Sequence, residues 1–433
     1  MQAMERHPIR VIVEDDLERS RLTVFFRLLL AIPHLIWLLL WSIGALIVVI
    51  VDWFATLALG RSPDSLHGFL AAYVRYAIHV YAYLSLAANP FPGFTGEAGS
   101  YPVDVEIDPP ARQNRWKTGF RIVLAIPALI LANALAGGPG GGGGGGARSD
   151  GSGADAPTWF DFSGGGVLVL VAFLAWFVCL ARGRMPLGFR DFQTYALRYG
   201  AQACGYLLLL TDRYPNSDPA TPPASPPPQP QTIRIAVDDD LRRSRLTVLF
   251  RLLLFLPHLV WFLLWSIAAF FAVIVGWFVT LATGRMLVGL HRFLAAYIRY
   301  GTHISAYVFI VANPFPGFTG TEGTYPVDLE VDPPARQSRW ITLFRIFLAI
   351  PASLISGGLA SVLVVVGVFG WFVGLATGRM PEGLRNLGVY AVRYSAQAHA
   401  YVYLLTDRYP YTGPWEWSAP GPSEDAEPEV AAA

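Results

Sequence analysis

Apolar residues run through this chain in long blocks, each closed by a short polar turn and followed by a second, more mixed block. The first block runs from Leu22 to Gly60, and its only charged side chains are Arg27 and Asp52. Leu35–Leu59 within it is about 25 residues, enough to cross a ~30 Å hydrocarbon core with some tilt. Short segments of a different period precede the blocks. Ile9, Val11 and Val13 alternate with Arg10, Ile12 and Glu14, and Val103, Val105 and Ile107 alternate with Asp104, Glu106 and Asp108. Counterparts follow at Ile233–Val237 and Val327–Val331. Period two with β-branched residues predicts half-buried strands. Asp108-Pro109-Pro110 and Asp332-Pro333-Pro334 stop the second and fourth of them.

The blocks are copies. Leu22 to Leu30 returns at Leu246 to Leu254, and Tyr101-Pro102-Val103-Asp104 returns as Tyr325-Pro326-Val327-Asp328. Each half also contains a pair of related units. Arg27 with Pro33, Arg121 with Pro127, Arg251 with Pro257 and Arg345 with Pro351 open them; Trp53, Trp176, Trp277 and Trp371 each lead to a Gly-Arg turn. Units one and three end in Asn-Pro-Phe-Pro-Gly-Phe, units two and four in Thr-Asp-Arg-Tyr-Pro. The predicted domains are 1–94, 95–215 with a Gly-rich insert at about 136–158, a Pro-rich linker 216–231, 232–318, 319–411 and a disordered tail 412–433.

Unit two is longer than unit four between its proline and its Gly-Arg turn, and the excess contains Gly137–Gly153. A polar loop cannot sit in hydrocarbon, so it marks a membrane surface and places the following span at 166–182. Each unit then reads as strand, in-plane helix, spanning helix, Gly-Arg turn, spanning helix. The expected fold is a mainly α, multi-spanning membrane protein with about eight transmembrane helices. All four strands and both termini share one membrane face, and the strands meet there as a small four-stranded sheet. The competing reading has twelve crossings with odd and even units inverted.

Composition agrees with a membrane chain. Of 433 residues 54% are hydrophobic and 15% charged, against about 25% charged in soluble domains. Net charge is +1, Lys117 is the only lysine, and no basic block suits a nucleic acid. The Ala, Gly and Pro richness fits a GC-rich bacterial genome, hence an inner membrane, with the more arginine-rich strand side cytoplasmic. Cys179 and Cys204 read as small core residues, and Met1–Arg10 lacks a signal-peptide pattern.

Candidate chemistry is concentrated on the second helix of each unit. Arg75, His79 and Tyr83 stand at i, i+4 and i+8, as do Arg198, Gln202, Tyr206; Arg299, His303, Tyr307; and Arg393, Gln397, Tyr401. Arginine at such depth is costly facing lipid, so the stripes form either a ligand site or structural glue binding backbone carbonyls. Asp52 is a candidate partner for Arg75. His34 and His258 occur in odd units only, and interfacial hydrogen bonding suits them better than metal. The repeated tryptophans suit packing or interface anchoring. Gly137–Gly146 is no phosphate loop, and no nucleophile–base pair, zinc motif or catalytic carboxylate pair is present. No cofactor, metal or enzymatic activity is expected.

Arg112-Gln113-Asn114-Arg115-Trp116, the following Phe120 to Pro127, and the Asn-Pro-Phe-Pro-Gly-Phe and Tyr-Pro-Val-Asp runs resemble a bacterial membrane family, domain of unknown function 4389, in tandem copies. The resemblance implies a small membrane domain and no established activity. The expected role is a non-enzymatic membrane scaffold or lipid-binding module, its partners the bilayer and a cytoplasmic protein on the strand face. The alternative is a transporter or channel using the stripes.

Overall fold

The computed structural model describes residues 6–137, 166–220, 227 and 229–414. Most of the expected Gly-rich insert, part of the Pro-rich linker and most of the tail lie outside the described residues. The chain forms two compact units, one up to Ser217 and one from Asp218 to Tyr411. The first holds β1 (Ile9–Val13), α1 (Arg21–Leu59), α2 (Asp64–Leu84), β2 (Val103–Ile107), α3 (Arg115–Gly119), α4 (Arg121–Ala136), α5 (Val167–Arg182) and α6 (Leu187–Leu207). The second holds β3 (Ile233–Val237), α7 (Arg245–Thr283), α8 (Val288–Val308), β4 (Val327–Val331), α9 (Arg339–Thr377) and α10 (Glu382–Val402).

All four predicted strands form, but the expected in-plane helix and first span are one helix. In α1, α7 and α9 it runs unbroken for 39 residues, with Pro33, Pro257 and Pro351 inside. A proline removes one ladder bond, yet the helix continues through it in all three. Only in unit two is the path divided, into α3, α4 and α5, where the insert enters. Among the described residues, α1, α7 and α9 are long and apolar enough to cross a membrane.

The four-stranded sheet does not form. β1 pairs antiparallel with β2, with Val11 opposite Val105, and β3 pairs with β4, with Ile235 opposite Leu329, giving two separate two-stranded ribbons. The reason is local. One outward carbonyl on each strand is bonded by a helix side chain: Ile9 O by Gln202 (3.0 Å) and Val105 O by Arg75 (3.0 Å), with Gln397 and Arg299 doing the same for Ile233 O and Leu329 O. The edge is therefore covered rather than left open to pairing.

Within the first half β1 packs on α6 and β2 on α2; α2 and α6 pack together; α1 covers α2, and α4 and α5 cover α6. This gives three layers, a ribbon, an inner helix pair and an outer set. The outer helices run antiparallel. Trp53 Nε1 donates to Thr118 O (2.8 Å) and Trp176 Nε1 to Val24 O (3.0 Å). Likewise Arg19 N bonds Gly183 O (2.9 Å) and Gln113 N bonds Gly60 O (2.8 Å). Each Gly-Arg turn thus lies beside the segment that precedes the other unit's first helix. The expected arrangement, strand-side segments at one end and turns at the other, does not hold within a half, because antiparallel strand pairing turns one unit about against the other. The second half repeats the stitches through Trp277 to Thr342 O (2.9 Å) and Trp371 to Val248 O (3.1 Å). Gly60, Gly183, Gly284 and Gly378 close the helices at φ of 76°, 68°, 73° and 71°, a region open chiefly to glycine.

Burial is uneven between layers. The inner helices α2, α6, α8 and α10 are mostly buried. By contrast α1 buries one narrow row (Val24, Arg27, Ala31, His34, Leu38, Ala45) and exposes large apolar side chains from Leu22 (69%) to Leu59 (66%).

Candidate functional site

The polar stripes do not act as units. A row at i, i+4, i+8 drifts roughly 80° around a helix of 3.6 residues per turn, so its ends face different neighbours. In α2 the first two members meet the ribbon. Arg75 Nε donates to Val105 O (3.0 Å) and Nη1 to Gly96 O (3.0 Å), while His79 Nε2 lies 2.7 Å from Asp104 Oδ1. Asp104 also accepts from the Gly99 and Val105 amides. Burial pushes this carboxyl up, but His79 and the two amides outweigh it, and its pKa lies below the ordinary range. The second half repeats the set: Arg299 on Leu329 O (2.8 Å) and Gly320 O (3.2 Å), and His303 on Asp328 (2.7 Å), with Glu322 added at 2.9 Å from Arg299. Asp52 does not pair with Arg75. It accepts from Thr56 (3.3 Å), the arginine being held by the strand.

Even units use neutral chemistry. Gln202 Nε2 donates to Ile9 O (3.0 Å) and its Oε1 accepts from Asn216 N (2.9 Å); Gln397 does the same with Ile233 O (3.0 Å) and Tyr411 N (3.2 Å). The guanidinium of Arg198 lies 5.3 Å from the Tyr195 ring centroid and that of Arg393 5.1 Å from Tyr390. Arg393 also reaches Tyr411 O (3.4 Å).

The third member, the tyrosine, faces the outer layer and meets an arginine that sequence reasoning used only as a repeat marker. Arg27 stacks on the Tyr83 ring (4.3 Å) and donates to the Tyr83, Ala88 (3.0 Å) and Asn89 (3.4 Å) carbonyls. Arg121 on Tyr206 (4.3 Å), Arg251 on Tyr307 (4.4 Å) and Arg345 on Tyr401 (4.8 Å) form the same node. Each supplies donors to carbonyls that the end of an inner helix leaves unpaired. Beside each node a bulky residue takes a left-handed conformation: Leu86 (φ 68°), Leu209 (63°), Ile310 (63°) and Leu404 (63°). Their carbonyls are held by Arg19 (3.0 Å), Gln113, Arg243 (3.1 Å) and Gln337, which offsets strain an unsupported leucine would not sustain. Arg19 is in turn paired with buried Asp15 (2.7 Å), and Arg243 with Asp239 (2.8 Å). One signal for the nodes was visible in sequence, a lone arginine inside each apolar run.

His34 lies 2.8 Å from Tyr76 Oη, against the rings of Phe91 (4.4 Å) and Phe94 (4.3 Å); His258 repeats this with Tyr300 (2.7 Å), Phe315 and Phe318. This explains why the histidine and the Asn-Pro-Phe-Pro-Gly-Phe motif occur together in odd units. In even units Tyr214 and Tyr409 hydrogen-bond the backbone of Ala128 and Ala352. No group of three or more metal-ligating side chains occurs among the described residues.

These nodes and clamps bind the chain's own backbone, and they define a class: tandem helical hairpins interlocked in pairs and closed by buried arginines. The family model for a domain of unknown function, DUF4389, matches residues 21–95, 163–217, 245–319 and 339–413. The chain belongs to that family. The matches begin near α1, α5, α7 and α9 and leave out α3, α4 and all four strands, so Arg121, Asp104 and Asp328 lie outside them. No curated protein and no solved structure matches the chain.

Proposed function

We propose that the protein is a non-enzymatic, lipid-facing membrane module, with the outer helices of each half immersed in the acyl region and the ribbon in water. One observation carries this reading: large apolar side chains remain exposed along the whole of α1, α7 and α9, far beyond the few hundred Å² that soluble surfaces usually show. The opposite layer is polar, with Arg10 bridging Glu106 and Asp108 at 3.0 Å each in the first ribbon.

The outer helices lie along the membrane in this proposal. A helix of 39 residues is roughly 58 Å long, about twice a ~30 Å hydrocarbon core. The interlock supports the same arrangement, since residues at the two ends of α1, Glu18 and Arg61, bridge equivalent partners, Arg184 and Arg112. A transport role finds little support, because Arg75 and Arg299 are engaged by strands and loops of their own half.

The test is labelling of Glu18→Cys and Arg61→Cys, in a chain whose two native cysteines are replaced, in sealed vesicles. Both sites are expected to react with an impermeant reagent from the same side. Reaction from opposite sides would overturn the in-plane arrangement, and release of the protein by alkaline carbonate would overturn membrane embedding.

A further inference from the structure

The two halves differ at one place in the outer layer. In the first half a cavity of about 490 Å³ lies between α1, the end of α2 and α5, within the ~300–1,000 Å³ range of ligand pockets. Leu28, Leu35, Phe173 and Trp176 line it, with Ser85 at the α2 end. Leu28 (74%), Leu35 (43%) and Phe173 (58%) also belong to the exposed apolar face, so the cavity is continuous with the surface proposed to meet lipid. In the second half the equivalents of Ser85 and Ala172 are Phe309 and Gly367. There the Phe309 ring fills the space: a Cβ added to Gly367 would stand 2.9 Å from it. A Phe–Gly pair thus plugs in one copy what a Ser–Ala pair leaves open in the other.

We infer that the first half holds a single lipid acyl chain in this cavity, as the plug holds an aromatic ring in the second. The inference rests on the lipid-facing reading above. The lining is nearly all hydrocarbon, which excludes a polar or charged occupant on desolvation grounds. Arg27 also borders the space, but its Nη donors are engaged, and its unpaired Nε is shared by Arg121, Arg251 and Arg345, so it specifies no headgroup.

The probe is phosphatidylcholine with a diazirine on one palmitoyl chain, mixed into vesicles containing the full-length protein, with adducts mapped by peptide mass spectrometry. Wild type is expected to give adducts around Leu86 and Ala172, lining residues that lie off the exposed face, as well as along the exposed face of α1. Ser85→Phe should reduce the cavity adducts at least tenfold and leave the face unchanged. Phe309→Ser should create new adducts around the buried Ile310, the equivalent of Leu86. Unchanged cavity labelling in Ser85→Phe, or none gained in Phe309→Ser, would overturn the site while the face remains labelled. No labelling anywhere on α1 would instead overturn the lipid-facing reading beneath it. A chain lacking residues 139–158 should label as wild type does; cavity adducts that appear only after this deletion would show that the chain's own segment is the occupant.

Discussion

In the first hairpin α2 reaches β2 with a charged set, Arg75 and His79 on Val105 O and Asp104, whereas in the second α6 reaches β1 with one neutral amide, Gln202 on Ile9 O. The strands themselves account for the difference. At the position equivalent to Asp104, β1 carries Arg10, which pairs with Glu106 and Asp108. A histidine opposite it would face a like charge when protonated, so the even helix presents glutamine and bonds the backbone alone. The requirement common to both is a donor at an outward carbonyl of the ribbon; charge enters only where the strand supplies a carboxylate.

The largest expected effect lies at the arginine nodes, where odd and even hairpins share the ring stack and the helix-end carbonyls and differ in the added partner, Asn89 for Arg27 and Asp212 for Arg121. Arg27→Met and Arg121→Met each leave several buried carbonyls without donors, and each should cost about 3–5 kcal/mol in reversible unfolding in detergent. A cost below about 1 kcal/mol for either would mean that the nodes are not equivalent. Next comes the contrast itself. His79→Gln, which gives the odd helix even-unit chemistry, leaves Asp104 short of a partner and should cost about 1–3 kcal/mol. Adding Asp104→Asn should recover part of that loss, and a double-mutant cycle showing no coupling would break the comparison.

pH separates the halves of the clamp further. Asp104 has its carboxyl below the ordinary range when folded, so its contribution is complete above the unfolded value of ~3.9. It is lost as pH falls through the lower folded value, and Asp104→Asn should remove that acid limb. His7, half-buried beside β1 and within 3.0 Å of Ile9 O, is pushed down to about 4 mainly by desolvation. The unfolded chain therefore binds the proton first. Stability should fall as pH drops from ~6.5 toward 4, and His7→Gln should flatten this range in a melting-temperature profile. The smallest effect concerns the stitches. Trp53→Phe and Trp176→Phe each remove one indole donor and should cost about 1 kcal/mol, equally for the two, since they are equivalents across the interlock. Unequal losses would argue that the antiparallel pairing is tighter at one end.

Much of this was legible without coordinates. The four repeats, the four strands to within a residue at their ends, the Gly-Arg turns and the start of α5 followed from period, punctuation and the position of the insert. The pairing of the repeats was not legible. Inverted and parallel units have the same local sequence, and no local signal says which strand a strand will choose. The stripes were found as residues but assigned to one face, because the slow drift of an i, i+4, i+8 row shows only when neighbours are present on two sides.

Sequence by itself determined which segments are helix and strand and which helices remain apolar all around. These are properties of backbone preference and side-chain transfer, decided within about twenty residues. Tertiary structure alone decided that the ribbons are two, that each half interlocks antiparallel, and that the buried arginines serve helix ends instead of a shared cavity. Those outcomes depend on which unpaired carbonyl comes near which donor, a distance set by packing between residues far apart in sequence, 193 positions in the case of Ile9 and Gln202.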